Sequence, residues 1–294
     1  MIVLLASAPV AVILRWALFI TTTLVVGAVA YGWCVRAPSG VMRGALVLRL
    51  LRGAGVAGTI AAGGRLAQQA FALAPEPAAI GTMVPILLRL PWGYAWVAQV
   101  LACVLVAVRP SVVAGATADR RSVPGALVAL TLAAVPAFQG HAFGAPEFTL
   151  VAVAADMLHV LAAGGWIGTL AIIVVGVLPG AEPSPARAVI TAFSPWALAG
   201  AAVLAATGVF ASWLHVRDPR LLGSTAYGVT LLLKVVLVIG VAGLGALNWK
   251  RLSPGLTDRA GVGRLVASAR GELLLALLVL AVTAALVGTP LPGE

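Results

Sequence analysis

The sequence has few charges, three histidines and almost no cysteine. Only 10% of its 294 residues are charged and 62% are hydrophobic, whereas soluble domains carry about 25% charged residues. So few charges cannot make a water-solvated surface, which excludes a soluble enzyme. The two cysteines, Cys34 and Cys103, have neither the spacing of a zinc site nor the number for a disulfide framework. A nucleophile motif, an HExxH motif and a phosphate-binding glycine loop are also missing, so we expect a protein that is not an enzyme.

What the sequence does contain is a series of long apolar segments. About 20 apolar residues cross a ~30 Å hydrocarbon core, and such windows occur at 9–34, 47–73, 91–109, 123–140, 149–178, 190–214, 225–249 and 270–289. The sequence therefore predicts an all-α, polytopic integral membrane helical bundle of about eight transmembrane helices. We expect one transmembrane domain over residues 1–294.

The net charge of +10 predicts the orientation of this bundle. Arginine and lysine are concentrated in the loops after spans one, three and seven, and the other loops hold few. Cytoplasmic loops of membrane proteins collect these residues. We therefore expect both termini in the periplasm and the chain in the bacterial inner (cytoplasmic) membrane. Because topology accounts for the surplus of positive charge, we expect no nucleic acid as a partner.

All three histidines fall in the outer third of this predicted arrangement. His141 lies in the loop between spans four and five, His159 inside span five and His215 at the outer end of span six. Asp156 precedes His159 by three residues, so the two share one helix face. The simpler interpretation is that Asp156 only fixes the tautomer of a packed histidine. Since ionisable residues inside a membrane are expensive to keep, a functional site is the leading hypothesis.

Three cations are also predicted at membrane depth: Arg15, Arg65 and Lys234. Asp156 is the one acid well inside a predicted span, so we expect a buried ion pair between it and one of the three. On span seven, a partly polar stripe repeats every seven residues through Tyr227, Lys234, Val241 and Asn248. These residues are interpreted either as a charge network that locks helices together or as a pathway. Three cations would also suit an anionic ligand, a haem propionate or a lipid headgroup.

Three segments carry a resemblance to a known family. They are ADMLHVLAAGGWIGTLAIIV, FSPWALAGAAVLAATGVFASW and YGVTLLLKVVLVIGVAGLGALNWKRLSP. In order and spacing they resemble the copper resistance D (CopD-type) family, most clearly over residues 120–290. The matching positions are Asp156, His159, Trp166, Gly168, Ser194, Thr207, Gly208, Tyr227, Gly228, Lys234 and Asn248. The resemblance implies an inner-membrane protein associated with copper uptake or tolerance, often working beside a periplasmic copper-binding protein.

The side chains present suit copper. Imidazole binds both Cu(II) and Cu(I), so His141, His159 and His215 are the candidate copper ligands, with Asp156 as a ligand or as the residue that orients one. Cys34 and Cys103 fall in the inner half and are possible exit ligands, although buried cysteines are commonly small hydrophobic residues. We expect copper ion uptake from the periplasm.

Two other functions stay open. His159 and His215 come from different helices and could bind a haem b axially, as in a membrane electron-transfer protein. Alternatively, the chain is a non-catalytic transmembrane subunit that packs within a larger membrane complex, surrounded by membrane lipid.

Overall fold

A computed structural model describes residues 8–35, 44–74, 76–114, 122–140, 148–216, 218–252 and 256–292. The described residues are helical, without a β-strand. The long helices are α1 (Ala8–Ala30, continued by Tyr31–Val35), α2 (Gly44–Leu73), α3 (Pro91–Val108), α4 (Val123–Gln139), α5 (Thr149–Gly176), α6 (Pro183–His215), α7 (Ala226–Leu252) and α8 (Arg259–Leu286). Short helices at Ile80–Leu88, Ser111–Ala114 and Leu221–Ser224 lie between them.

The predicted all-α membrane bundle is confirmed. Seven of these helices are long and apolar enough to cross a membrane, and α4, with 17 residues, is a shorter apolar helix at the fourth predicted position. Two helices begin seven or more residues earlier than predicted. α6 starts at Pro183 instead of 190 because proline is accommodated in a first helical turn. α8 starts at Arg259 instead of 270 because Asp258 caps it, accepting a hydrogen bond from the Gly261 backbone N–H at 2.6 Å.

Helix α1 lies at the centre and packs against α2, α4, α5 and α8. It crosses α5 almost backbone to backbone: a Cβ built on Gly168 would lie 1.9 Å from the carbonyl oxygen of Thr23. Gly164, one turn earlier, lies against Val26, and Thr169 donates a hydrogen bond to the Gly27 carbonyl at 3.2 Å. The Gly164–Gly168 pair therefore lets α1 approach α5 closely, as is typical of two small residues at this spacing in membrane helices.

Helices α6 and α7 lie at the periphery. α6 packs against α5, and α7 packs against α8. Their outward faces carry large apolar side chains, such as Val209 and Val236, with exposures of 71% and 64%. Lipid is the medium that accepts such faces, and the protein is accordingly a multi-pass membrane protein. The heptad stripe on α7 faces inward, since Tyr227, Val241 and Asn248 are buried and Lys234 is half-buried.

Three π-helical turns interrupt the long helices, at Tyr31–Val35 in α1, Gly164–Gly168 in α5 and Asn248–Leu252 in α7. A π-turn adds a residue to the helical turn and so changes which side chains face a neighbour. Such turns occur frequently at functional sites. Trp166 in the turn of α5 and Asn248 in the turn of α7 both contact one acidic residue of α8, Glu272.

Candidate intramembrane metal site

Helix α5 carries Asp156 and His159 on its first turns. They lie 7 and 10 residues after its first residue, Thr149, and both are half-buried. At 1.5 Å per residue they sit about 10–15 Å from this end of the helix. The pair therefore lies below the end of the bundle that the charge pattern predicts to be periplasmic.

The His159 ring is fixed by a hydrogen bond to α6. Its Nδ1 lies 2.8 Å from the Thr207 hydroxyl oxygen, and that hydroxyl lies 2.7 Å from the Val203 carbonyl oxygen. A hydroxyl has one proton. Because that proton goes to the carbonyl, Nδ1–H of His159 must be the donor to Thr207. The neutral tautomer that results keeps the lone pair on Nε2, which is the form of histidine that binds a metal.

Glycines on α6 make room for this arrangement. A Cβ built on Gly200 would lie 3.2 Å from the Ala162 carbonyl oxygen, so α6 and α5 approach closely there. Two turns further along α6, a Cβ on Gly208 would lie 3.9 Å from Cε1 of His159. The imidazole therefore occupies the space beside Gly208, next to its partner Thr207.

Helix α7 supplies the positive charge of the site. The positive charge of Lys234 acts on the Asp156 carboxyl and on the His159 ring. Lys234 is thus the electrostatic partner of Asp156 among the three cations that the sequence offered. Three helices, α5, α6 and α7, meet at this site through Asp156, His159, Thr207 and Lys234.

Of the three cations that the sequence left open as partners of Asp156, the two arginines interact elsewhere. The charges of Arg15 on α1 and Arg65 on α2 act on each other. Arg15 donates a hydrogen bond to the Ala284 carbonyl near the end of α8 at 3.4 Å, and Arg65 donates one to Gln68 on its own helix. The carbonyls at a helix C-terminus attract a cation, which explains why Arg15 lies there.

His215, the last residue of α6, lies closer to the end of the bundle. The Tyr227 hydroxyl of α7 is 3.4 Å from its Nδ1, and the two rings meet edge to face at 81°. His215 is eight residues beyond Thr207 on α6, or about 12 Å along the helix axis. His215 therefore lies about two helical turns closer to the end of the bundle than Thr207, the residue that contacts His159. His141 lies outside the described residues.

The two cysteines, Cys34 and Cys103, are far from each other. Cys34 is in the π-helical turn of α1, where it borders an apolar groove of about 240 Å³ between α1, α5 and α6. Cys103 is buried on α3, where its sulfur and Thr21 of α1 both pack against Gly58. Since Thr21 and Cys34 are 13 residues apart on α1, the cysteines are separated by about 20 Å along that helix. Within the described ranges, no three His, Cys, Asp or Glu residues cluster closely enough to hold a metal ion.

Glu272 is the polar residue that sequence reasoning missed. Asp156 was expected to be the one acid well inside a span, but the early start of α8 places Glu272 thirteen residues inside that helix, with 2% of its surface exposed. Asn248 of α7 donates a hydrogen bond to its Oε2 at 2.9 Å, and Trp166 of α5 supplies a second hydrogen-bonding group. The signal was present at Asp258, whose position before RAGVGRLVASAR is typical of a helix N-cap.

Comparison with known proteins adds family matches over most of the chain. Residues 187–286 match the model for copper resistance protein D, and residues 5–147 match the model for the copper resistance protein D-like N-terminal domain. The copper transport protein CutJ of Bacillus subtilis is 31% identical over 162 residues, which are 54% of this chain and 29% of that protein. The chain thus spans less than a third of the length of this relative. No solved structure matches this chain.

Proposed function

Because the chain belongs to the copper resistance protein D family, we propose that it takes up copper ions from the periplasmic side of the bacterial inner membrane through Asp156 and His159. As a family member with membrane-spanning helices, the chain is a copper-handling membrane protein. The observation that carries the finer proposal is the hydrogen bond from His159 to Thr207. That bond leaves Nε2 of His159 as a copper ligand, beside a carboxylate inside the membrane.

In the proposed mechanism, Asp156 changes its partner from Lys234 to the copper ion. When no ion is bound, Lys234 compensates the charge of Asp156. An arriving copper ion competes with Lys234 for the carboxylate and binds Nε2 of His159 at the same time. Because Lys234 repels the ion, the site binds copper weakly enough to release it, which transport requires and storage does not.

The outer end of the bundle would receive the ion first. His215 and Tyr227 lie about two helical turns above His159, and the sequence places His141 in the neighbouring loop. We assign these residues to entry, as an acceptor from a periplasmic copper-binding protein. Cys34 and Cys103 remain candidate exit ligands; thiolate suits Cu(I). Arg15 and Arg65 take no part in this route.

Metal analysis and an absorption spectrum of the purified protein test this function. Wild-type protein should bind copper stoichiometrically, and His159→Ala should bind much less. Thr283→Val serves as a control, because the Thr283 hydroxyl bonds only to Val279 of its own helix. A Soret band in the wild-type protein that is lost in His159→Ala would mean that His159 binds haem and not copper. Co-purification of a large complex, with no metal or haem bound, would favour the subunit function.

The direction of copper transport needs a separate experiment. Radioactive copper added to right-side-out vesicles should accumulate when the wild-type chain is present, and inverted vesicles should accumulate less. The same vesicles with His159→Ala should stay at the level of vesicles that lack the protein. Accumulation confined to inverted vesicles would mean export and would overturn the proposed uptake.

A further inference from the structure

Helix α8 holds a carboxylic acid at its middle, outside the proposed copper site. Glu272 is 13 residues from Arg259 and 14 from Leu286, the two ends of the helix. At 1.5 Å per residue, each end is about 20 Å away. The side chain has 2% of its surface exposed. An acid at this depth in a membrane protein marks a functional site by default.

Neutral groups surround the carboxyl closely. Oε2 accepts a hydrogen bond from the Asn248 amide at 2.9 Å, and Trp166 is the second polar contact. Oε1 also lies close to α7, where a Cβ on Gly245 would be 3.2 Å from it. This close fit holds the carboxyl in one position and leaves no space for a large ligand.

The charged residues on the surrounding helices do not compensate Glu272. Arg270 on α8, Lys250 and Arg251 on α7, and Arg187 on α6 are all exposed. On α1, Arg15 bonds near the far end of α8 at Ala284, and the other titratable residues are Tyr31 and Cys34. The half of α5 that packs on α8, Thr169–Gly176, has no titratable side chain. Among the described residues, no cation pairs with Glu272.

An uncompensated carboxylate inside a protein is unfavourable by several kcal/mol. It is neutralised either by a proton or by a bound cation. Oxygen donors from a carboxylate and an amide suit copper less well than imidazole or thiolate does. The small, closely packed space around Oε1 and Oε2 is adequate for a proton.

The two hydrogen-bonding partners of Glu272 both come from π-helical turns. Trp166 belongs to Gly164–Gly168 and Asn248 begins Asn248–Leu252. The same two helices carry the copper-site residues: Trp166 is ten residues from Asp156 on α5, and Asn248 is fourteen residues from Lys234 on α7. A shift of α5 or α7 on binding of an ion would therefore move a hydrogen-bond partner of Glu272.

From this geometry we propose that Glu272 is a proton-binding site whose proton is exchanged as copper passes through the bundle. In the empty protein the carboxyl carries the proton. When a copper ion binds between α5, α6 and α7, Glu272 releases the proton to solvent, and the carboxylate charge then balances part of the charge of the ion. Departure of the ion restores the proton. This coupling to copper rests on the proposed function, whereas proton binding by Glu272 does not.

Infrared spectroscopy of the protein in liposomes tests proton binding without any transport. At neutral pH the wild-type protein should show the carbonyl stretch of a protonated carboxylic acid, and Glu272→Gln should lack it. Glu182→Gln is the matched control, because Glu182 is exposed at the start of α6 and should not contribute to this band. Glu272→Asp, a second variant in case the amide disturbs folding, should retain a shifted band. A wild-type spectrum without a band that depends on Glu272 overturns the proposal.

Proteoliposomes with a pH-sensitive dye in the lumen test the coupling. Adding copper should change the luminal pH with wild-type protein. With Glu272→Gln the pH change should disappear, and copper should still bind at His159 but more weakly, because the neutral amide cannot balance the charge of the ion. A Glu272→Gln variant with the wild-type proton signal would refute the coupling. His159→Ala separates the two proposals: it should lose copper binding and keep the infrared band. If wild-type protein binds no copper but shows the band, the copper function fails and proton binding stands.

Discussion

The hydrogen bond between His159 and Thr207 can be removed with little change in shape by Thr207→Val. In the structure Thr207 does two things: it accepts Nδ1–H of His159 at 2.8 Å and donates to its own helix at Val203. Valine removes both bonds and keeps the branched side chain. Without an acceptor for Nδ1–H, the ring is free to rotate or to move its proton to Nε2. Copper affinity should therefore fall.

Two effects of Thr207→Val determine the size of the expected loss of copper affinity. Loss of a partner that orients a metal-binding histidine weakens metal affinity by about 10–100-fold, which is ~1.4–2.8 kcal/mol. A buried N–H without an acceptor also destabilises by ~1–3 kcal/mol. That second effect acts on the metal-free and the metal-bound protein alike, so it lowers the melting temperature more than it changes binding. The expected decrease in affinity is therefore about tenfold or somewhat more, and smaller than that of His159→Ala.

Competition with a chromophoric copper chelator measures this affinity in detergent or nanodiscs. Thr283→Val is the matched control, since it loses a hydroxyl bonded only within α8, at 2.8 Å to Val279. We expect that control to bind copper as the wild type does. If Thr207→Val keeps wild-type affinity while His159→Ala loses it, then the tautomer assigned to His159 is not what prepares the site. If His159→Ala also keeps wild-type affinity, then the site itself is wrong.

Three further changes test other parts of the structure. Lys234→Met should tighten copper binding on the order of tenfold, because like charges near each other in a protein repel by at least ~1 kcal/mol; weaker binding in the chelator assay would mean that Lys234 supports the ion and does not compete with it. Gly168→Ala would place a methyl group 1.9 Å from the Thr23 carbonyl oxygen, so we expect ~3 kcal/mol or more of destabilisation in thermal unfolding, whereas Gly165→Ala, with nothing within 4 Å of its Cβ, should unfold as the wild type does. The hydrogen bond from Arg259 lowers the pKa of Glu182, so this pair stabilises the fold above the ordinary glutamate pKa and loses its effect as the pH falls through the lowered value; because both side chains are exposed, by 57% and 81%, Glu182→Gln should leave the melting temperature at neutral pH unchanged, and a clear decrease there would contradict this interpretation.

Hydropathy was sufficient to predict the helices of the bundle, since lipid requires every spanning helix to be apolar. It was not sufficient to place their ends. Residues 259–270 contain three arginines and are predicted to form a loop by hydropathy, yet they form the first turns of α8. A charged amphipathic turn that extends past the membrane has low hydropathy, so only its cap at Asp258 marks the true start. Glu272 was assigned to a helix end for this reason.

The candidate site was partly predictable for a similar reason. The spacing of Asp156 and His159 on one helix follows from 3.6 residues per turn, and the sequence offered Lys234 among three possible cations. It could not choose among them, because the choice depends on which helices are neighbours. Nor could it identify Thr207 as the partner of His159, 48 residues away. Such contacts are set by the crossing of α5 and α6 at Gly200, which is a property of packing.

The packing of α5 and α7 also limits how the two polar sites can act. Each helix contributes to the Asp156–Lys234 pair near one end and to the Glu272 cluster further along. At the level of Gly168, α5 is held by its backbone contact with α1, which leaves it little freedom to slide. Helix α7 makes its close backbone contact at Gly228 with Leu221 of the short helix just before it, so this contact does not hold it against another spanning helix, and most of its surface is exposed. If an ion at Asp156 displaces Lys234, the helix that moves is therefore α7. The hydrogen bond that such a movement stretches is the one from Asn248 to Glu272, while Trp166 stays in place.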